Sequence, residues 1–156
     1  MKTTYIKVIA ILFTVGISTT VYAQQAPDMR GVWVRVSGSG VSTGIGTHYP
    51  PTCDDSITGI KKGKDGICFR QNTDPSNIFD ITQQEGRSFA GTFESKTRKA
   101  QIMGTFAEDL KGGVMVDESG ALSFTMLSAD KLGYCFTEVK NQRLKASCAE
   151  FKRKTK

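Results

Sequence analysis

From residue 77 onward the chain consists of short stretches in which apolar and polar residues alternate, each ended by a short polar turn. Side chains of a β-strand point alternately to opposite faces, so a two-residue period is typical of strands with one buried face. No stretch sustains the 3.6-residue period of an amphipathic helix. Together with the similar pattern at residue 31, this predicts eight strands, near residues 31–37, 77–84, 88–95, 100–106, 112–117, 121–127, 131–139 and 143–151.

The turns between the later strands are only a few residues long, for example Glu85-Gly86-Arg87 and Glu118-Ser119-Gly120. Short turns connect antiparallel neighbours, and eight strands in such a meander close most naturally into an up-and-down barrel. We therefore predict an all-β fold, an eight-stranded antiparallel β-barrel. Residues 38–76, rich in Gly, Ser, Pro and Lys, are predicted to form one long loop.

Alternation along the strands assigns one set of residues to the barrel interior. These are Phe79, Ile81, Phe89, Gly91, Phe93, Ile102, Gly104, Phe106, Val114, Val116, Leu122, Phe124 and Met126. The two glycines within strands allow the sharp bending that a closing sheet needs. Eight-stranded barrels are just wide enough for side chains to fill, so the sequence leaves open whether the interior is a filled core or a pocket.

The first residues have the layout of a cleavable export signal. Lys2 and Lys7 flank the start of an apolar run from Val8 to Ile17, and a polar stretch then leads to the small residue Ala23. The apolar run is roughly half of the ~20 residues that a spanning helix needs. We therefore expect residues 1–23 to be a signal peptide and residues 24–156 to be a single domain, exported to a periplasm or secreted.

The four cysteines predict two disulfides, because an exported chain meets an oxidising environment. They are Cys53, Cys68, Cys135 and Cys148. A hairpin turn at residues 140–143 pairs Val139 with Leu144 and Thr137 with Ala146, which places Cys135 directly opposite Cys148, within disulfide reach. That leaves Cys53 to pair with Cys68. The chain has one His and no Cys-x-x-Cys pair, so neither a metal site nor a cofactor is expected.

The tripeptide Gly31-Val32-Trp33 resembles the Gly-x-Trp opening of the calycins, the small barrels that include lipocalins and avidins. Residues 86–95, Gly-Arg-Ser-Phe-Ala-Gly-Thr-Phe-Glu-Ser, are similar to the second hairpin of avidins, and residues 121–125 are a looser match. The resemblance implies a barrel in which Trp33 is a structural plug at the floor.

The biotin site of avidins is not reproduced. Phe93 stands where avidins have a Tyr whose hydroxyl contacts biotin, and Phe124 stands where a Trp is expected. Ser95 matches a biotin-contacting serine position. The resemblance therefore implies a ligand other than biotin, with Phe93, Ser95 and Phe124 as candidate contacts.

Nothing in the spacing of the polar residues fixes a nucleophile with a base, so we do not expect an enzyme. The single His48 lies beside Tyr49 in the long loop, and both are further candidate ligand contacts.

We expect a non-catalytic protein that holds a small, largely apolar ligand at the open end of the barrel, under the 38–76 loop. The alternative is a protein-binding or inhibitory module whose disulfide-closed loop contacts an envelope or host partner. No nucleic-acid partner is expected, since no basic stripe is interleaved with aromatics. No membrane span is expected, since the apolar run of the signal is too short.

Overall fold

The computed structural model describes residues 25–43, 59–71, 76–96, 98–140 and 143–155. These residues contain ten strands: β1 (Gly31–Thr43), β2 (Ile60–Lys62), β3 (Ile67–Gln71), β4 (Ile78–Glu85), β5 (Ser88–Glu94), β6 (Lys99–Phe106), β7 (Gly112–Asp117), β8 (Gly120–Ser128), β9 (Lys131–Lys140) and β10 (Arg143–Arg153). In this described part of the chain, no helix has the length and apolarity to cross a membrane.

Eight strands close into an antiparallel barrel in the order β1-β4-β5-β6-β7-β8-β9-β10, with β10 pairing back onto β1. From β4 to β10 each strand pairs with the next along the chain, which confirms the predicted meander. The closing pair is long: Trp33 lies opposite Arg153 at one end, and Ser42 lies opposite Lys145 at the other. We call the end where β1 begins the lower end and the opposite end the upper end.

Part of the predicted 38–76 loop is instead β-sheet. Strand β1 continues past Ser37 to Thr43, and the hairpin of β2 and β3 adds to its upper half, where Gly40 lies opposite Arg70. The sequence Ser37-Gly38-Ser39-Gly40 has a low strand preference, but this segment pairs with both β10 and β3, and composition does not show such long-range pairing. Residues 44–58 and 72–75, including His48, Tyr49 and Cys53, lie outside the described residues.

Most of the predicted interior residues are buried in one core. Phe79, Ile81, Phe89, Ile102, Phe106, Leu122 and Phe124 are buried, and Phe93 and Met126 pack against them partly buried. The core also contains residues from strands whose faces the sequence did not assign, among them Leu132 and Phe151. The alternation therefore located the core-facing side of β4, β5, β6 and β8.

The prediction for β7 is wrong. Val114 and Val116 are 54% and 42% exposed on the outer face, and Met115 is buried instead. Met115 lies opposite Gly104 on one side and Leu122 on the other, and directly opposed residues share a face. Because residues 114–116 are all apolar, the sequence pattern could not decide which of them point inward.

The β9–β10 hairpin has the predicted register, with Val139 opposite Leu144 and Thr137 opposite Ala146. Cys135 and Cys148 are opposed and form a disulfide, with their Cα atoms 4.1 Å apart. Both cysteines of this disulfide lie within the described residues. Cys68 is not a free thiol. Its expected partner Cys53 lies outside the described residues, so that pairing stays a prediction.

Candidate ligand cavity

The lower end of the barrel is closed around Trp33, whose side chain is fully buried. The indole Nε1 donates to the carbonyl oxygen of Met29 at 2.8 Å, and Met29 is itself buried. Gln84, on the inner face of β4, accepts from the Met29 amide at 2.6 Å and donates to the Pro27 carbonyl at 2.9 Å. The segment before β1 is thus fastened to the lower end of the barrel.

Arg153, at the end of β10, strengthens this floor. Its guanidinium lies 4.1 Å from the centre of the Trp33 ring, within cation–π range. It donates to the Asp28 carbonyl at 2.5 Å and to the Asp130 carboxylate at 3.2 Å. Asp28 also accepts a side-chain hydrogen bond from Arg30, which lowers the pKa of that carboxyl to about 2. These contacts hold Trp33, Arg153 and the segment before β1 together at the lower end of the barrel.

Above the floor the barrel is filled by aromatic side chains. Phe89, Phe106 and Phe124 pack edge to face, with ring centres 5.1 to 6.0 Å apart. Such contacts add to the stabilisation that burial itself provides. Phe124, a candidate ligand contact from the sequence, belongs to this filled lower core and does not line the cavity above it.

The upper half of the barrel contains a cavity of about 280 Å³. One wall is formed by small inward-facing residues of β1 and β10, among them Gly40, Ser147 and Ala149. A Cβ atom at Gly40 would lie only 2.9 Å from the Cβ of Ser147, so a larger residue at position 40 would displace Ser147. The volume lies just below the range of roughly 300–1,000 Å³ that is typical of small-molecule sites. The interior is thus a filled core below and a cavity above, which answers the question that the sequence left open.

Aromatic rings form the lower and far sides of the cavity. Phe79, Phe93, Tyr134 and Phe136 line it. Phe79 is the centre of this group, 5.3 Å from Phe93 and 5.7 Å from Tyr134 between ring centres. A flat apolar ligand would find ring faces and edges here.

The upper rim of the cavity is charged. Its described lining includes five cations, Arg35, Arg70, Lys96, Arg98 and Lys145, and two carboxylates, Asp117 and Glu138. The described lining therefore carries an excess of three positive charges.

Two of the cations are held against the aromatic lining. Arg98 is ion-paired with Asp117, whose side chain is 6% exposed, and its guanidinium carbon lies 5.7 Å from the centre of the Phe93 ring. Asp117 also accepts from the Ser119 amide at 2.7 Å and from its hydroxyl at 2.6 Å. The Lys145 Nζ lies 4.6 Å from the centre of the Phe136 ring. These contacts fix the positions of positive charge at the edge of the apolar surface.

Of the residues that the sequence singled out, Phe93 and Ser95 line the cavity and Trp33 lies at the floor. The charged residues of the rim were missed. A signal for them exists, because inward positions continue beyond the core: Asp117 follows Met115 by two residues, and Glu138 follows Phe136 by two. This signal depends on the observed register, because the sequence pattern assigned Val114 and Val116 to the interior and assigned no face to the strand of Glu138.

Fold and site together define a closed antiparallel β-barrel with a sealed lower end and a mixed aromatic and cationic cavity at the upper end. Comparisons with protein-family models, with curated proteins and with solved structures found no match to this chain. Among the described residues, no group of three or more His, Cys, Asp or Glu side chains is placed to hold a metal ion. The geometry of the cavity is therefore the basis for a functional interpretation.

Proposed function

We propose that this chain is an exported, non-catalytic binding protein of the calycin type. It holds a small, largely apolar ligand in its upper cavity. The observation that carries the proposal is the wall of Gly40, Ser147 and Ala149, which keeps the upper barrel open above a core that is filled elsewhere. The aromatic side chains opposite this wall supply the apolar contact surface.

Two further features support the calycin type and the export. Trp33 is fully buried at the start of β1, where the family resemblance expects a floor plug. The Cys135–Cys148 disulfide is of the kind that persists in oxidising compartments. The Arg98–Asp117–Ser119 cluster of the lining is engaged in fixed internal contacts, which suits a binding site better than a reacting one.

The proposal predicts that filling the cavity blocks ligand binding. The Ser147→Phe variant places a ring in the space beside Gly40, whereas Ala146→Phe places the same ring on the outer face, because adjacent strand residues point to opposite sides. With 2-naphthamide as probe, we expect Ser147→Phe to weaken binding at least about tenfold, which corresponds to about 1.4 kcal/mol. Isothermal titration calorimetry measures the affinity.

Ala146→Phe is the matched control and is expected to bind like the wild type. Circular dichroism melting of both variants shows whether the barrel is intact. Equal affinities of the two folded variants, or no binding of 2-naphthamide to the wild type, would contradict the proposed cavity.

A further inference from the structure

We infer that the ligand of this cavity carries one anionic group, and that Arg70 of β3 and Lys145 of β10 recognise it beside the small-residue wall. This inference rests on the proposed function and specifies its ligand as a small ring-containing organic anion, such as an aromatic carboxylate.

The strand register places both cations around the same open space. Arg70 lies opposite Gly40, and Gly40 lies opposite Ser147, so the three residues share the inner face in one row. Lys145 lies one inward position above Ser147 on β10 and opposite Ser42. Neither Gly40 nor Ser147 has a side chain long enough to fill the gap between the two cations. An anionic group resting on this wall is within reach of both.

Arg70 and Lys145 would bind a carboxylate in different ways. The Arg guanidinium is a planar fork that donates two parallel hydrogen bonds to a carboxylate, whereas the Lys ammonium acts as a compact point charge. The Lys145 ammonium lies over the Phe136 ring, which positions charge beside an apolar surface. A ligand with a ring on the aromatic side and a carboxylate on the wall side matches both halves of the cavity.

The remaining charges favour the same polarity of ligand. Arg35, whose strand position on β1 is opposite Phe151, also lines the cavity and adds a third positive charge. Of the two carboxylates of the described lining, Asp117 is paired with Arg98, and Glu138 lies directly opposite Lys145. Because the described lining has more cations than carboxylates, its field attracts an anion and repels a cation.

A charge-only comparison tests the inference. The probes are 2-naphthoate and 2-naphthamide, which share their ring system and shape and differ in net charge. At low ionic strength we expect the wild type to bind 2-naphthoate about tenfold more tightly than 2-naphthamide, since a hydrogen bond to a charged group is stronger than one to a neutral group. Isothermal titration calorimetry gives both affinities.

Substitutions of Arg70 and Lys145 test whether these two residues cause the preference for 2-naphthoate over 2-naphthamide. Arg70→Gln and Lys145→Gln are each expected to weaken 2-naphthoate binding more than 2-naphthamide binding, and so to reduce the preference for 2-naphthoate to about threefold or less. Arg70→Lys, which keeps the charge, should retain part of the preference. Lys61→Gln is the control, because Lys61 lies on the outer face of the same hairpin opposite Phe69. It should keep the full preference.

The outcomes separate the two claims. If 2-naphthamide and 2-naphthoate bind equally to the wild type, or if Lys61→Gln lowers the preference as much as Arg70→Gln, the anion site is overturned while the cavity stands. If neither probe binds, the proposed function fails and the anion site fails with it. Loss of preference in the Arg70 and Lys145 variants alone supports the inference.

Discussion

Gly91 is a residue at which the barrel wall leaves almost no room for a side chain. It lies opposite Ile81, next to a β-bulge between Ile81 and Gln83. A Cβ at this position would lie 2.0 Å from the carbonyl oxygen of Asp80 and 2.8 Å from the Cα of Ile81. Both atoms are backbone, so a side chain here forces the two strands apart. The sequence predicted a bend at this glycine, but the close approach depends on a register that composition alone does not specify.

The tight contact predicts a large effect of a single methyl group. We expect Gly91→Ala to lower the free energy of unfolding by about 3 kcal/mol, at the upper end of typical overpacking costs. Gly133→Ala is the control, because a Cβ there would lie 3.7 Å from the nearest atom, Cδ1 of Leu127. It should change stability by less than about 0.5 kcal/mol. Urea unfolding measures both values, and equal stabilities of the two variants would refute the packing described for Gly91.

Strand β7 shows how far a local pattern can assign a face. Strands with clear alternation, such as β4 with Phe79 and Ile81, were assigned correctly from sequence. In β7 three consecutive apolar residues make both faces plausible, and the outcome is decided by the neighbours. Gly113 lies opposite Phe106 on one side and Phe124 on the other, where a Cβ would meet the backbone of β6, and this register turns Met115 inward.

The two faces of β7 predict unequal costs of truncation. Met115→Ala removes a buried side chain from the core and should cost about 2–4 kcal/mol of unfolding free energy. Val116→Ala removes part of an exposed side chain and should cost less than about 1 kcal/mol. Urea denaturation of both variants provides the comparison. A larger loss for Val116→Ala than for Met115→Ala would mean that the strand faces the other way.

The upper part of β1 and the β2–β3 hairpin could not be predicted from local sequence. Residues 38–43 were predicted to belong to a long loop, and they form a strand because β10 and β3 both pair with this segment. Such pairing joins residues far apart in the chain, so no short sequence window contains it. By contrast, the β9–β10 hairpin is local, and its register was predicted correctly down to the opposed Cys135 and Cys148.

At the scale of the whole molecule, the sequence predicted a closed meander with a ligand at its open end, and the structure adds where the interior changes from core to cavity. Phe93 and Ser95 were candidate ligand contacts because the resemblance to avidins matches them to biotin-contacting positions, and both line the cavity. The cationic rim was missed because its members come from five different strands or strand ends and share no sequence motif. Their proximity is a consequence of barrel closure, in which β10 returns to β1.

Native mass spectrometry of the protein purified from its own host tests whether the upper cavity holds a small ligand. We expect a one-to-one adduct in the native spectrum of the wild type and of Ala146→Phe, which disappears under denaturing conditions and is absent from Ser147→Phe. An adduct retained by Ser147→Phe at the same occupancy would contradict this expectation, because the ligand would then lie outside the cavity.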